Sequence, residues 1–267
     1  MLGRTKIVEV KKLVKNYGNF CAVKNISFDV YECDVFGFLG PNGAGKSTTI
    51  RTILSLIKAT SGSIRLFDKD INQYRNTILS KIGCIVEKPD FYKFLSAEKN
   101  LELFARISSV DVNKSKLHEL IEFVGLKGRE KELISGFSHG MKQRLGIAQT
   151  LIHNPDLIVL DEPTTGLDPQ GIIDIRNLIL KLKNEQNKTV ILSSHILSEI
   201  ELIANRMIII NKGETIMQGS VAELLNAQDL IVSFTVNDVE LSSKFAIICS
   251  ILFSIPLIIY FSLPSFS

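Results

Sequence analysis

Short apolar runs cut by Gly, Pro and Asn alternate along the chain with stretches in which apolar residues recur every three to four positions. Val8, Val10, Leu13 and Val14 share one strand-like run, and residues 22–23 and 26–30 form the next. A third run, residues 35–39, stops at Gly40-Pro41-Asn42-Gly43. Continuous apolar runs of this length predict buried strands, and Gly, Pro and Asn predict where they end. A helical pattern begins near Lys46. From about residue 88 to 140 the spacing is mainly helical, with Leu101, Leu103, Phe104 and Ile107, then Leu117, Leu120, Ile121 and Val124 on common faces. Alternation then resumes. Residues 157–160 predict a strand, Ile175, Leu178, Ile179 and Leu182 a helix, residues 189–192 a strand, and residues 196–204 a helix. Residues 207–210 and 214–217 read as strands joined by Asn211-Lys212-Gly213, a hairpin signal. The order is α/β, a helical insertion, then α/β again, with no internal repeat and no low-complexity tract.

Composition narrows the classes without naming a chemistry. The chain has 267 residues, 31 Lys+Arg against 28 Asp+Glu, and a formal net charge of +3, too small for a protein that coats nucleic acid. Apolar residues make up 45% and charged residues 22%, which excludes a disordered chain. Cys21, Cys33, Cys84 and Cys249 lie far apart with no CxxC pair, so reduced thiols in a cytosolic protein are expected rather than a disulfide framework or zinc site. The first eighteen residues hold no apolar run of secretory type.

Chemistry enters at Gly40-Pro41-Asn42-Gly43-Ala44-Gly45-Lys46-Ser47, which matches G-x-x-x-x-G-K-[ST] between a predicted strand and a predicted helix. Glycines let backbone N–H groups turn inward around phosphate oxygens, and the helix N-terminus adds positive potential there. Lys46 is expected to reach the β- and γ-phosphates and Ser47 to ligate Mg²⁺. Leu157-Ile158-Val159-Leu160-Asp161-Glu162 supplies the complement: a buried strand delivers two carboxylates at its C-terminal end. Asp161 is expected to hold Mg²⁺, through water, and Glu162 to polarise or deprotonate an attacking water.

With Phe137-Ser138-His139-Gly140-Met141-Lys142-Gln143 ahead of a helix expected from Lys142 to Ile152, the chain resembles the ATPase subunit of ABC transporters. The segment is similar to the signature usually written LSGGQ, with His139 and Met141 at positions where Gly and Gln are usual. The resemblance implies a P-loop NTPase of ABC type, with an antiparallel β subdomain and a helical subdomain inserted between phosphate loop and signature. It implies ATP and Mg²⁺ as ligands, with Gly40 to Ser47 and Thr48 at the phosphates. Ser138, His139, Gly140 and Met141 would cap ATP bound by a second protomer. Tyr17 resembles the aromatic that stacks on adenine, Asp168 lies in a D-loop-like Gly166-Leu167-Asp168, and His195 resembles the switch histidine that holds water and Glu162 in place. Lys46, Glu162 and His195 are thus the expected catalytic residues. Glu87 stands where a Gln touching Mg²⁺ and the water is usual, and a carboxylate there loses the amide N–H donors. That change, with E-x-P-x-F-Y, S-x-G-M-K-Q-R-L and T-T-G-L-D-P, resembles exporters that protect bacteria from lantibiotics and bacitracin.

The resemblance implies an ATPase domain over residues 1–225 with its helical subdomain at about 88–155, then a short extension over 226–244. It implies separate membrane permease subunits as partners, a second ATPase protomer in a homodimer, no nucleic acid, and a peripheral place at the cytoplasmic face of a bacterial membrane. Pro89, Phe91, Tyr92 and Phe94 are the expected coupling surface, as exposed aromatics. Repair members of the family carry coiled coils between the nucleotide motifs, and 91 residues between Lys46 and Ser138 leave no room for them. Ribosome-acting members carry two cassettes, and this chain has one. A P-loop kinase for a small metabolite would not need Ser138-His139-Gly140. Residues 245–267 carry no charge and are long enough to span a bilayer, with Pro256 near the centre. Three readings stay open for them: a tail anchor, a segment packed on the ATPase or a permease, or an end produced by a frameshift.

Overall fold

The computed structural model describes residues 4–225, so the apolar segment 245–267 and the extension 226–244 lie outside the described residues. The elements in chain order are β1 (Lys6–Tyr17), β2 (Phe20–Tyr31), β3 (Val35–Leu39), α1 (Lys46–Ile53), β4 (Ser61–Leu66), β5 (Lys69–Asp70), α2 (Arg75–Leu79) and β6 (Ile82–Ile85). Then come α3 (Ala97–Ile107), α4 (Lys114–Phe123), α5 (His139–Thr150), β7 (Leu157–Leu160), α6 (Pro169–Gln186), β8 (Thr189–Ser194), α7 (Leu197–Glu201), β9 (Arg206–Asn211) and β10 (Glu214–Ser220). A short helix, α8 (Val221–Leu225), opens a second unit of the chain.

Two sheets organise the first unit. An antiparallel sheet has the order β2-β1-β4-β5, and a six-stranded sheet has the order β10-β9-β3-β8-β7-β6. In the latter, β9, β3, β8, β7 and β6 are parallel and β10 closes the edge antiparallel to β9. Every residue of β3, β7 and β8 is buried, which is why the apolar residues of these strands come in continuous runs rather than alternating with exposed ones. Phe28 of β2 joins the two sheets: its ring stacks on Phe36 at 5.5 Å between centroids and meets Phe38 edge-on at 5.0 Å. Each such pair contributes about 0.5–1.5 kcal/mol beyond area burial. Asp34, fully buried before β3, is satisfied by Arg4 at 2.8 Å, Asn205 at 2.7 Å and the Tyr31 N–H at 3.0 Å. At Gly37 an added Cβ would stand 2.6 Å from Ile200 Cγ2, so α7 packs against β3 only because that position lacks a side chain.

The register places Leu39 beside Ser194 and Leu160 beside Leu192. The C-terminal ends of β3, β7 and β8 therefore meet along one edge, the place where open parallel sheets bind ligands.

The expected helical stretch is present but shorter. Residues 88–96 form a loop, and helix begins at Ala97, where Ser96 caps it by accepting from the Lys99 N–H at 3.2 Å. Asn113 caps α4 in the same way at 2.9 Å. The helix expected from Lys142 starts at His139, because Ser138 is its N-cap, and it ends at Thr150. The one expected over 196–204 shrinks to α7, Leu197–Glu201. Apolar spacing alone marks the buried face of such helices, not the capping residue that begins them.

Candidate nucleotide-hydrolysis site

The loop between β3 and α1 is bent by two left-handed glycines, Gly43 (φ 79°) and Gly45 (φ 105°). Gly45 is also the residue preceding α1 and offers no side-chain cap, so the first N–H groups of the helix point into the loop without a side chain across them. A Cβ on Gly40 would stand 2.1 Å from the Ile210 carbonyl oxygen, and one on Gly45 would stand 2.7 Å from that of Ala22. Backbone surrounds the loop that tightly. Gly213, in the turn between β9 and β10, donates its N–H to the Ala44 carbonyl at 2.9 Å and accepts from the Lys24 N–H at 2.7 Å. Lys46 is buried, and its ammonium folds back over the loop to the carbonyls of Gly40 (2.8 Å) and Pro41 (3.2 Å). Pro41, Asn42 and Gly43 are exposed at the loop tip, Ala44 is buried, and Ser47 and Thr48 follow Lys46 in the first turn of α1.

The two carboxylates arrive from β7. Asp161, buried at 6% exposure, accepts from Ser47 Oγ (3.1 Å) and Ser193 Oγ (2.6 Å). Glu162 sits at φ 50°, a left-handed conformation that a non-glycine residue adopts only at a cost. Its N–H donates to Ser193 Oγ at 2.9 Å, so this one serine aligns both acids. Glu162 Oε2 accepts from His195 Nδ1 (2.8 Å) and Thr165 Oγ1 (3.1 Å). Glu162 Oε1 lies 3.1 Å from Lys46 Nζ, close enough for an ion pair but out of line for a hydrogen bond, and it is a buried oxygen with no hydrogen-bond partner. Burial pushes the Glu162 carboxyl up, but His195, Lys46 and Thr165 outweigh it and hold it below its ordinary value. The acid is therefore ionised at neutral pH, an acceptor poised for a water proton. Because an ionised carboxylate only accepts, His195 Nδ1 carries the hydrogen in this contact.

The structure thus brings Lys46, Ser47, Asp161, Glu162 and His195 into one contact network. The remaining expected residues lie around it. Tyr17 ends β1, half-exposed, with Lys15 Nζ 4.8 Å from its ring centroid. Ser138 caps α5, accepting from the Met141 N–H at 3.2 Å, and its own hydroxyl hydrogen remains available to a ligand. His139 and Gly140 open α5, and Asp168 caps α6 by accepting from the Gly171 N–H at 3.2 Å. Glu87 adopts φ 73°, and its exposed carboxylate pairs with Arg51 of α1. Phe91, expected among exposed aromatics, is instead buried at 6% and meets Phe104 edge-on at 5.9 Å. Pro89 packs where a Cβ on Gly146 would be, 2.8 Å from its Cγ. Burial of Phe91 follows from α3 folding back onto this loop. Tyr92 and Phe94 do stay exposed, as an edge-on pair at 5.8 Å.

Sequence reasoning passed over the role of Ser193 and of the Thr164-Thr165 pair. Thr164 Oγ1 and Ser194 Oγ both donate to Glu199 Oε2, at 2.8 and 2.7 Å, which ties the segment after β7 to the one after β8. The only signal was adjacency to the acids and to His195.

Comparisons agree with this geometry. The family described as "ABC transporter" matches residues 23–165. The bacitracin transport ATP-binding protein BcrA of Bacillus licheniformis is 48% identical over 208 residues, 78% of this chain and 68% of that protein. The lantibiotic transport ATP-binding protein SrtF of Streptococcus pyogenes is 40% identical over 212 residues, 79% of this chain and 90% of that protein. Among solved structures, the ATP-binding cassette MJ0796, dimeric in a post-hydrolysis state with ADP and Pi, superposes with a TM-score of 0.71 at 26% identity. That match covers 80% of this chain and 99% of that one.

Proposed function

The chain belongs to the ABC transporter family as an ATP-binding, ATP-hydrolysing subunit, and from that premise we propose that it powers export of a bacitracin- or lantibiotic-type antimicrobial peptide through separate membrane permease subunits. The observation that carries the hydrolytic part is Glu162, ionised, with one buried oxygen unbonded beside Lys46 and the other fixed by His195.

In this reading the backbone N–H groups from Gly40 to Ser47 and Thr48 cradle the phosphates. Lys46 leaves the carbonyls of Gly40 and Pro41 for phosphate oxygens. Tyr17 stacks on the adenine. Glu162 orients the attacking water and takes its proton as the water oxygen bonds to the γ-phosphorus and ADP departs with the bridging electron pair. His195 keeps Glu162 in place and reaches the γ-phosphate.

Ser47 Oγ and Asp161 Oδ1, 3.1 Å apart, are hard oxygen donors of the kind Mg²⁺ takes. Among the described residues no cluster of three or more His, Cys, Asp or Glu could hold a metal, which fits an ion held mostly by phosphates and water. When bound, Mg²⁺ supplies neutralisation of phosphate charge. The Glu87 carboxylate pairs with Arg51 through one oxygen, and its other oxygen is the one that could join such an ion.

A second copy of the chain completes each site in this reading, with Ser138, His139, Gly140 and Met141 of one protomer facing the nucleotide of the other and Asp168 near the junction. The N-terminus of α5 offers an anion the same positive end that α1 does. The permease docks at Tyr92 and Phe94, beside exposed Leu133, which the Ser96–Leu133 bridge brings alongside. Among the described residues no helix is long and apolar enough to cross a membrane; the place at the cytoplasmic face is proposed through the permease.

The test is survival of a host lacking the gene against bacitracin and lantibiotics, with the gene and its neighbouring permease restored. The reading expects protection from the wild-type gene and none from Glu162→Gln. No protection against either class, with ATPase activity intact, would remove the peptide substrate.

A further inference from the structure

The imidazole of His139, one of the two residues that depart from the usual signature, turns toward its own protomer. Its Nε2 lies 3.2 Å from the Thr165 carbonyl oxygen. A carbonyl only accepts, so Nε2 carries the hydrogen and donates. The ring also rests near Gly166, where an added Cβ would meet Nε2 at 3.7 Å and Cδ2 at 3.8 Å, and φ of +78° favours glycine there. From Thr165 the path continues: its hydroxyl donates to Glu162 Oε2 at 3.1 Å, the same oxygen that His195 Nδ1 contacts at 2.8 Å. Two hydrogen bonds, joined through the covalent frame of Thr165, therefore link the first residue of α5 to the hydrolytic carboxylate.

We propose that His139 is a positioning residue for Glu162, acting through Thr165. Without a donor at position 139, the Thr165 carbonyl turns to water. The loop from Glu162 to Gly166 then loses its anchor on α5, and the Thr165 hydroxyl no longer fixes Glu162 Oε2. This inference rests on the sandwich reading above. There α5 faces the partner's nucleotide while Glu162 serves its own, so the same histidine links the signature of one site to the acid of the other.

The test is a double-mutant cycle on ATP hydrolysis by the full chain. His139→Ala and Thr165→Val are each expected to lower kcat about three- to tenfold, the worth of one hydrogen bond, with KM for ATP within about twofold of wild type. The double variant is expected to be no more than about twofold slower than the slower single variant, whereas independent effects would multiply. His139→Gln, which keeps a side-chain N–H, is expected to restore most of the rate. Unchanged kcat in His139→Ala, or effects that multiply, would overturn the proposal.

ATP-induced dimerisation in a Glu162→Gln background separates this inference from the reading beneath it. The inference expects the dimer to persist when His139→Ala is added. Loss of the dimer only on adding His139→Ala would make the imidazole itself, rather than the backbone at position 139, a contact to the partner's nucleotide, which sinks the positioning role and leaves the sandwich standing. A Glu162→Gln chain that never dimerises would remove the sandwich and the inference together.

Discussion

Ser193 is the smallest part of the site with the widest reach, since its hydroxyl donates to Asp161 and accepts from the Glu162 N–H. Ser193→Ala keeps the strand but leaves the part-buried Glu162 N–H without its partner. That costs about 1–3 kcal/mol. We expect the urea midpoint to fall accordingly and kcat to drop as the two carboxylates lose their common alignment. An unchanged midpoint would mean that water replaces the hydroxyl. The acids themselves were legible in the sequence, because an apolar strand ending in Asp161-Glu162 downstream of a glycine-rich loop has a chemical reason to exist. Ser193, Thr165 and Arg51 were not: serine, threonine and arginine occur everywhere, and only three-dimensional proximity distinguishes these from others. Glu87 was legible as a departure, but its partner Arg51, thirty-six positions away, was not.

At the scale of elements, the parallel strands β3, β7, β8 and β9 and the phosphate loop could be read directly, because apolar runs and fixed spacing leave a pattern, whereas β6, a four-residue edge strand with Cys84 exposed, was passed over. The inserted helices could be read as helices, though their starts depended on caps at Ser96, Asn113 and Ser138 that periodicity does not mark. Their packing also hid Phe91, since exposure is set by the partner helix α3 rather than by local sequence. Between α3 and α4, buried Glu98 is held by His118 at 3.1 Å and lies 3.5 Å from Lys114. His118 is the main cause that lowers the Glu98 pKa below its ordinary 4.5; burial opposes it and Lys114 assists it. A carboxyl depressed on folding stabilises the protein above its unfolded value, and that stability is lost as pH falls through the folded value. The urea midpoint should therefore decline below about pH 4.5, and Glu98→Gln should flatten that part of the profile. An identical slope in the variant would place the acid sensitivity elsewhere. The exposed pair Tyr92 and Phe94 belongs to the same insertion. Phe94→Glu should leave hydrolysis by the isolated chain within about twofold, as expected of a surface change, and abolish its stimulation by the permease. Full stimulation of the variant would move the docking surface.

For the molecule as a whole, the design is a parallel sheet whose strand ends gather Lys46, Ser47, Asp161, Glu162 and His195 into one network, plus a second helix terminus at α5. In the proposed sandwich a single copy uses the first and leaves the second idle, and two copies arranged head to tail use both. In that proposed arrangement, switching comes from the γ-phosphate: its contacts to both protomers exist with ATP and vanish with ADP, so each turnover would close and open the pair and move the attached permease. Everything proposed about export depends on that cycle. The most direct measurement is the mass in solution of the Glu162→Gln chain, by light scattering, with ATP and Mg²⁺ and again with ADP. The account predicts a dimer with ATP and a monomer with ADP. A chain that binds ATP yet stays monomeric at high protein concentration would contradict it.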